Sequence, residues 1–365
     1  MEKPFSNVYF TGVVRDKLGR KMSKSLGNSP DPLDLIAQYG ADGVRMGMML
    51  SAPTGNDILF DEALCEQGRN FNNKIWNAFR LVKGWKIDDA KQVSPSSALA
   101  TQWFEAVLAK TAWEVDDLMK KYRLNDALMA LYKLFWDEFS SWYLEIIKPA
   151  YGEGIDPVTY EAANRFFESL LKLLHPFMPF ITEELWQAMY QRKAGESIMV
   201  QSILDFPQTY DETIISGFEK AKEVISGIRT IRLQRNIAQK DALELEVIGQ
   251  NPVEAYNSVI SKMGNLSAIN TVENKAEGVA SFMVGTTEFA VPLGDLINVE
   301  EEIAKLEADL TYQEGFLQSV LKKLSNEKFV GKAPANVIDM ERKKQADAES
   351  KIASLKESIA ALKKN

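Results

Sequence analysis

The chain has 365 residues, of which 45% are hydrophobic and 26% are charged, a composition that is typical of folded, water-soluble domains and excludes extended disorder. Its length favours two or three domains over one. Basic residues number 43 and acidic residues 51, so the net charge is −8, which excludes a uniformly basic nucleic-acid binder but allows local basic patches. No run approaches the roughly 20 apolar residues that span a bilayer, so we expect no membrane anchor.

Two residue types are too scarce for several kinds of site. Cys65 is the single cysteine and His175 the single histidine, so the chain cannot form an internal disulfide and has too few soft ligands for structural zinc. The same scarcity argues against Ser-His-Asp and Cys-His catalysis. Residues 1–5 carry no secretory pattern. Together with the low cysteine count, this predicts a cytoplasmic protein without a metal site of its own.

The first segment has the composition of a strand that opens into a loop. Val8 to Val14 is β-branched and aromatic, and Asp16 to Gly19 supplies turn residues after it. A strand needs sheet partners, and the residues before this one offer none, so we expect the chain to be part of a longer protein. Asp31 and Pro32 then predict an N-cap and a first helical residue, and Gly40 predicts the end of that helix.

Residues from Asp61 to about Gln191 predict a bundle of four or five helices. Apolar residues recur there at the helical period of 3.6, and all seven tryptophans fall in this stretch. Ser94-Pro95 and Asp156-Pro157 predict two helix starts, because each supplies a capping side chain followed by a residue without an N–H.

Beyond Pro207 the pattern indicates a small α/β unit. A helix is predicted from about Asp211 to Leu233, and a shorter one near Pro252 to Met263. The segments that alternate like strands are Leu243 to Ile248, Ala268 to Val272, Val279 to Val284 and Thr287 to Val291. Gly285-Thr286, between the last two segments, predicts a hairpin turn.

The last 70 residues carry two coiled-coil seams, in which selected residues are spaced alternately three and four apart. The first seam is Val299, Ile303, Leu306, Leu310, Gln313, Leu317, Val320 and Leu324. The second is Ile338, Glu341, Gln345, Ala348, Ile352, Leu355, Ile359 and Leu362. Gly331 and Pro334 break a helix between them, so the seams most simply fold back as an antiparallel hairpin; a dimerising coiled coil is the alternative. Charge is uneven, at +4 over Lys322 to Lys344 and −5 over Leu296 to Leu321.

Lys21-Met22-Ser23-Lys24-Ser25 is the segment with the highest specificity for chemistry. Two lysines beside small hydroxyl residues on an exposed loop suit a triphosphate, because ammonium groups neutralise the charge that develops on leaving pyrophosphate. Judged on these residues alone, a solvated lysine loop is an equal alternative.

The surrounding sequence resembles a known family. Gly19 to Asn28, followed by Tyr39 to Arg45, resembles the second signature of the class I aminoacyl-tRNA synthetases and the helix after it. Arg69 to Ala78 and His175 to Trp186 resemble the anticodon-binding bundle of the valine, isoleucine and leucine branch. The terminal hairpin favours the valyl-tRNA synthetases within that branch, because isoleucyl enzymes often end in a zinc module that a single cysteine cannot build. The resemblance covers essentially the whole chain, strongly at the KMSKS segment and more loosely through the α/β unit.

The resemblance implies a mainly α chain in four parts. Residues 1–60 would be the end of a Rossmann-type catalytic domain with the KMSKS loop, 61–210 an anticodon-binding helical bundle, 211–295 a small α/β linker domain and 296–365 an antiparallel coiled-coil hairpin that binds tRNA. The intact enzyme would join valine to ATP and pass it to tRNA(Val). The family's histidine-containing first signature, valine pocket and editing domain are absent from this sequence, so we expect the chain alone to be inactive, and monomeric.

The family's ATP-binding loop corresponds here to Lys21, Met22, Ser23, Lys24 and Ser25. Lys24 would contact ATP phosphates and Lys21 would assist, and both would act by positioning and charge stabilisation rather than by proton transfer. The implied cofactor is ATP, with Mg²⁺ bound to the nucleotide and no zinc.

Candidate tRNA contacts come from three places, because unstacked bases are read by stacking and edge hydrogen bonds, and phosphates by basic side chains. They are Arg69, Asn73, Asn77 and Arg80 on an early bundle helix; Arg229 and Arg232, for which a solvated helix face is an equal alternative; and Lys328, Lys332, Arg342, Lys343 and Lys344 at the hairpin tip. We expect Trp76 and Phe79 to lie in the core. Two other functions stay open: a stand-alone tRNA-binding or scaffolding module, and a part of an isoleucyl or leucyl enzyme.

Overall fold

The computed structural model describes residues 5–10, 12–52, 56–203, 206–274, 279–293, 299–325 and 335–362. The described part is mostly helical, with a few strands. It divides into two compact units. One comprises Met1–Glu223 and Val253–Met263, and the other Val224–Pro252 and Gly264–Asn365. No helix in the described ranges is long and apolar enough to cross a membrane.

The first unit begins with much less strand than the sequence predicts. Strand β1 is Val14–Arg15 and pairs in parallel with β2, Ile58–Leu59. Val8 and Phe10 are 66% and 86% exposed, so the prediction of a strand over the whole β-branched run is wrong. Strand propensity needs a hydrogen-bonding neighbour, and the described residues supply one only at the end of the run.

Two short helices follow the loop. Helix α1 is Pro32–Tyr39 and helix α2 is Ala41–Leu50. The Asp31 side chain accepts a hydrogen bond from the Leu33 N–H at 2.8 Å, which confirms the predicted cap and start of α1.

Helix α2 packs very closely on α3, Glu62–Lys83. A Cβ atom on Gly68 would lie 2.4 Å from the Gly43 carbonyl oxygen, and one on Gly47 would lie 2.6 Å from the Cys65 nitrogen. Because only a hydrogen at these positions allows the two backbones to approach, the glycines set the separation of the helices.

The other helices between residues 95 and 189 pack together; with α3 they number six, where the sequence predicts four or five. They are α4 (Pro95–Lys120), α5 (Leu124–Lys133), a π-helical stretch (Leu134–Tyr143), α6 (Leu144–Ile147), α7 (Pro157–Leu174) and α8 (Pro179–Met189). Ser94 accepts a hydrogen bond from the Ser97 N–H at 3.1 Å, and Asp156 accepts one from the Thr159 N–H at 2.8 Å. Both predicted starts are therefore confirmed.

The π-helical stretch, which the sequence did not predict, carries the aromatic core of the bundle. Its ring centroids lie 5.5 Å apart for Phe135 and Phe139, and 5.7 Å apart for Phe139 and Tyr143. The wider π turn brings residues four apart closer to one face than an α turn does, so all three rings are fully buried together.

Helix α2 is fastened to the start of α8 by two side chains. The Asp42 carboxylate accepts hydrogen bonds from the Phe180 and Ile181 N–H groups at 3.3 and 2.7 Å. Arg45 donates to the Phe177 carbonyl at 3.1 Å. Asp42 thus caps a helix that begins 137 residues later in the chain, which ties the segment after the KMSKS loop to the bundle.

The second unit contains a four-stranded sheet in the order β4-β3-β6-β5. The strands are β3 (Leu243–Ile248), β4 (Leu266–Val272), β5 (Val279–Val284) and β6 (Thr287–Pro292). β3 runs parallel to β4 and antiparallel to β6, and β5 and β6 form the predicted hairpin around Gly285. Helix α9 is Glu212–Gln234, within one residue of its predicted bounds at either end, and its residues from Val224 onward belong to this unit. Helix α10 is Asn257–Gly264 and belongs, up to Met263, to the first unit.

The chain ends in two long helices, α11 (Val299–Leu324) and α12 (Ala335–Leu362), which pack against each other. Ion pairs join Lys323 to Glu341 at 3.8 Å and Glu314 to Lys356 at 2.8 Å. The later residue of α11, Lys323, pairs with the earlier residue of α12, Glu341, so the two helices run antiparallel. Residues 326–334, at the predicted tip, lie outside the described residues.

Candidate nucleotide and tRNA sites

The KMSKS segment forms a tight turn directly after β1. Lys21 makes an isolated antiparallel bridge with Arg15. Ser23 then caps a short 3₁₀ turn, Lys24–Leu26, and accepts a hydrogen bond from the Leu26 N–H at 3.2 Å. Gly27 ends the turn at a φ of 63°, a left-handed conformation that favours glycine.

Two side chains outside the motif organise this turn. The Asn28 amide nitrogen donates to Asp16 Oδ2 at 2.9 Å and to the Lys21 carbonyl at 3.2 Å, while its oxygen accepts from the Ser23 N–H at 2.9 Å. Asp16 also accepts from the Leu18 N–H and from both the backbone and the side chain of Arg20. The sequence indicates only a turn at Asp16, and no local pattern marks Asn28 as its partner.

Hydrogen bonds to the charged form favour it. The Asn28 side chain, followed by the Arg20 and Leu18 groups, accordingly lowers the pKa of Asp16 from its ordinary 3.8 to about 2, against a smaller opposing effect of burial. Asp16 is therefore ionised at neutral pH, and it neutralises Arg20 rather than the two lysines of the motif.

The loop also packs on buried apolar residues. Met22 packs on a small hydrophobic cluster formed by Leu35, Tyr39, Phe60 and Cys65. Burial, together with nearby acidic groups, raises the pKa of the Cys65 thiol to about 11, so this cysteine is a packing residue and not a nucleophile.

The two motif lysines have no counter-ion among the described residues. Lys21 and Lys24 are exposed, whereas their basic neighbours are paired: Arg15 with Asp57, Lys17 with Asp61, and Arg20 with Asp16. The loop thus presents two ammonium groups that are available for an anionic ligand. Ser25 lies beside Ser23, with 3.1 Å between the two hydroxyl oxygens.

The four predicted contacts on α3 form one stripe of the helix. Their spacing of four, four and three residues places Arg69, Asn73, Asn77 and Arg80 on a single side, about 16 Å long at 1.5 Å per residue. The two asparagines and Arg80 are exposed. Arg69 is half-buried and pairs with Glu66 at 3.2 Å, so it is the least available of the four.

Trp76 belongs to the same stripe, and the prediction that it lies in the core is wrong. Its side chain is 43% exposed, and its ring contacts Phe79 with 6.1 Å between the centroids. The opposite face of α3, with Phe71, Ile75 and Ala78, supplies the buried side, so the indole is left at the edge. The stripe therefore includes an aromatic surface beside its amides.

Arg232 requires a correction. It is 2% exposed, and its guanidinium donates to the carbonyls of Ala238, Gly264 and Asn265 at 2.9, 2.8 and 3.1 Å. Burial lowers its pKa. A guanidinium enclosed by carbonyls cannot reach a phosphate, so Arg232 fixes the α/β unit instead. The signal was present in the sequence, because Arg232 follows the buried Ile228 by four residues and so shares its face.

Lys222, on the same helix, is likewise buried. Its ammonium lies 2.5 Å from Glu138 and 2.8 Å from Glu219, and 4.8 Å from the centre of the Trp103 ring. Burial raises the pKa of Glu138. Of the two predicted arginines on α9, only Arg229 is exposed.

In the first part of α12, Arg342, Lys343 and Lys344 are exposed. Lys344 pairs with Glu341 at 2.7 Å. Lys328 and Lys332 lie outside the described residues. Nothing in the described ranges groups three or more His, Cys, Asp or Glu side chains closely enough to hold a metal ion.

Three family models match separate segments of the chain. The model for "tRNA synthetases class I (I, L, M and V)" matches residues 1–61, that for "Anticodon-binding domain of tRNA ligase" matches residues 101–248, and that for "Valyl tRNA synthetase tRNA binding arm" matches residues 298–363. Helix α3 lies between the first two matches. The proposal that it contacts tRNA therefore depends on the geometry of its exposed residues.

One solved structure, a ternary complex of Agrobacterium radiobacter K84 agnB2 LeuRS with tRNA and LeuAMS, covers 59% of this chain and 25% of that chain. Its TM-score of 0.41 and its identity of 22% are too low to support an argument.

The curated relatives carry one name. The Valine--tRNA ligase of Phocaeicola vulgatus is 76% identical over 364 residues, which are 100% of this chain and 41% of the relative. The enzymes of the same name from Bacteroides thetaiotaomicron and Fusobacterium nucleatum are 69% and 38% identical, over 99% and 98% of this chain and 41% and 42% of their own lengths. The chain thus spans about two fifths of the relatives it matches. It belongs to the valine–tRNA ligase family and corresponds to the carboxy-terminal region of its members.

Proposed function

We propose that the intact protein of which this chain is a part activates valine with ATP and transfers it to tRNA(Val). The observation that carries the proposal is the KMSKS loop, where Lys21 and Lys24 lie exposed and pair with no acidic side chain in the part of the chain that the structure describes. Asn28 holds the backbone on both sides of Met22. The relatives' name selects valine and disfavours the isoleucine and leucine alternatives. The same relatives disfavour a stand-alone scaffolding module.

The loop acts by charge and position. In this class of reaction the amino-acid carboxylate attacks the α-phosphorus of ATP and pyrophosphate leaves, so negative charge grows on the leaving group. Lys24 would contact the phosphates, and Lys21 would assist from three residues away. Met22 would hold the loop on its cluster, and Ser23 and Ser25 would shape the turn. ATP with its Mg²⁺ would be the cofactor.

This chain by itself would not catalyse the reaction. Its one histidine, His175, has Nδ1 2.7 Å from the Thr182 hydroxyl at the start of α8, and burial lowers its pKa. We therefore assign His175 a structural role in the bundle and do not expect it to replace the histidines of the family's first signature. The valine pocket would have to come from elsewhere in the intact protein.

tRNA would be bound along three surfaces of the chain. The α3 stripe of Asn73, Trp76, Asn77 and Arg80 offers amide edges, one guanidinium and one indole to unstacked bases, with Arg69 at its margin. Arg229 would contact phosphate, and Arg232 is withdrawn from the set because it is buried. The third surface is the hairpin tip, with Lys328, Lys332, Arg342, Lys343 and Lys344.

The proposed layout keeps the four parts expected from the sequence. Residues 1–60 would form the carboxy-terminal end of the catalytic domain, and residues 61–210 the anticodon-binding bundle. Residues 211–295 would form the α/β linker, and residues 296–365 a coiled-coil arm. The burial of Ala348, Ile352, Leu355 and Ile359 supports the arm, because these are seam positions. The protein would act as a cytoplasmic monomer.

The test of the loop's role is valine-dependent ATP–pyrophosphate exchange by the intact ligase. The double variant Lys21→Ala, Lys24→Ala is expected to lose at least about a hundredfold in kcat, because it removes two charges directed at the leaving group. Lys17→Ala is the matched control, since this nearby exposed lysine is paired with Asp61 at 2.7 Å and should leave exchange unchanged. Exchange at the normal rate by the double variant would refute the assignment.

A further inference from the structure

The arrangement around Asn28 explains how the two motif lysines can be held together. One amide bonds the backbone on both sides of Met22, because it donates to the Lys21 carbonyl at 3.2 Å and accepts from the Ser23 N–H at 2.9 Å. Its second donor bond, to Asp16 at 2.9 Å, attaches this stretch to the turn that follows β1.

Asp16 is itself held in place by the turn. Its side chain is 12% exposed, and its two oxygens accept from the Leu18 N–H at 3.0 Å, the Arg20 N–H at 2.9 Å and Arg20 Nε at 2.7 Å. The carboxylate is therefore a fixed point to which the amide is tied, and its ionised state strengthens each of these bonds.

Among the natural side chains of this size, only asparagine meets the demand at position 28. The position needs one acceptor and two donor bonds within a reach of about 3 Å. Aspartate has the same shape but no donor, and it would place a second carboxylate beside Asp16. The backbone of the loop therefore depends on Asp16 and Asn28, and neither side chain offers a positive charge to an anionic ligand.

We propose that Asn28 and Asp16 are positioning residues for the KMSKS loop, and that their amide–carboxylate pair fixes the backbone at Lys21 and Ser23 so that Lys21 and Lys24 present their ammonium groups to the phosphates together. The inference deepens the proposed function and depends on it for the identity of the ligand. Preorganised charges stabilise a transition state because they need not be reoriented during the reaction, and a misplacement of about 1 Å costs up to about a hundredfold in rate.

The first measurement is amide hydrogen exchange of this chain, read over residues 16–30. Asn28→Ala and Asn28→Asp are expected to raise exchange at Ser23 and Leu26 by about tenfold, with the larger effect from Asn28→Asp and with unchanged exchange in the bundle helices. Ser29→Ala, at an exposed neighbouring position, is the matched control and should change nothing. Unchanged loop exchange in both Asn28 variants, or a loss of protection spread over the whole first unit, would overturn the proposal.

The second measurement separates positioning from general stability. In the intact ligase, Asn28→Ala is expected to lower kcat of pyrophosphate exchange by about ten- to a hundredfold while the KM for valine stays within about twofold. The double exchange Asp16→Asn, Asn28→Asp re-forms one amide–carboxylate bond in the opposite sense, so it should recover part of the activity that Asn28→Asp loses.

The outcomes distinguish the two proposals. Should the lysine double variant retain full exchange activity, the proposed function of the loop fails, whatever the Asn28 variants do. If the lysine variant is inactive but Asn28→Asp and Asn28→Ala both keep normal kcat, the positioning role fails while the function of the loop stands. Failure of the double exchange to improve on Asn28→Asp would likewise contradict a direct role for the pair.

Discussion

Arg232 is buried, and burial determines which groups its guanidinium can bind. The same guanidinium that would bind phosphate on a surface here donates to the carbonyls of Ala238, Gly264 and Asn265, which lie in its own unit. Arg229, three residues earlier, is exposed. The two arginines should therefore respond differently to substitution.

Arg232→Ala is expected to lower the free energy of unfolding by about 2–4 kcal/mol, because it removes three hydrogen bonds of a buried side chain and leaves a space in the interior. Urea denaturation followed by circular dichroism measures this loss. Arg229→Ala should change unfolding by less than about 1 kcal/mol and should instead flatten the dependence of tRNA affinity on salt. Equal urea midpoints for wild type and Arg232→Ala would refute the structural role.

The ionisation of Asp16 gives a test by pH. Its pKa is lowered to about 2 in the folded state, so its stabilisation of the loop is present above the ordinary value of 3.8 and is lost as the pH falls toward 2. Amide NMR shifts of Leu18 and Arg20 should therefore not titrate between pH 5 and about 3.

Asn28 is the largest cause of that shift. In Asn28→Ala the same amide signals should titrate at a higher pH than in wild type, because the largest of the effects that lower the Asp16 pKa is lost, whereas Ser29→Ala should behave as wild type. A wild-type midpoint near 3.8 would contradict the hydrogen-bond network.

Residues of the site were predictable to the extent that their role is local. The motif lysines and the polar stripe of α3 follow from adjacent sequence and from helical spacing. The partnership of Asn28 with Asp16 joins positions 12 residues apart through the shape of a turn, and no pattern in one sequence reports it. Trp76 was misjudged because tryptophan is usually buried, and only the packing of α3 shows which face is left open.

Among the elements, the contact of α2 with α3 is the one that glycine controls most directly. A methyl group on Gly68 would meet the Gly43 carbonyl oxygen at 2.4 Å, a backbone atom that cannot turn aside. The contact matters for the site because Cys65, on the same helix, belongs to the cluster beneath Met22.

Gly68→Ala is expected to destabilise the chain by about 1–3 kcal/mol through overpacking, despite the better helix propensity of alanine. Gly315→Ala is the control, because the space around that helical glycine is open, and the change should add about 0.5–1 kcal/mol. Thermal unfolding of both variants decides the matter: a Gly68→Ala protein as stable as the Gly315→Ala protein would contradict the close approach.

Elements whose limits are set by their own residues were predicted well. Helices α1, α4 and α7 begin where a capping side chain precedes proline, because both halves of that signal are local. The strand at Val8 to Val14 was not, because a strand exists only with a neighbour. The π-helical stretch also escaped prediction, since its wide turn depends on the fit of several rings in the bundle.

The seams of α11 and α12 pack on each other either within one chain or between two chains. Glu314 pairs with Lys356 and Lys323 with Glu341 across the two helices of a single chain, which favours closure within the chain. Glu341 is a buried charge at a seam position, and such a residue favours one register over others.

Sedimentation equilibrium is therefore expected to give one species of 41.0 kDa at all concentrations. Deletion of residues 296–365 should leave the remainder monomeric as well. A dimer that grows with concentration and disappears on this deletion would show that the seam closes between chains instead.

We infer that this chain binds tRNA(Val) within an intact valine–tRNA ligase. It is tested most directly by titrating the chain with valine-specific and non-cognate tRNA transcripts at one fixed salt concentration. The valine-specific transcript is expected to bind more tightly, and this preference should fall when Asn73, Trp76 and Asn77 are replaced together by alanine. Equal affinity for all transcripts, or no binding to any of them, would contradict it.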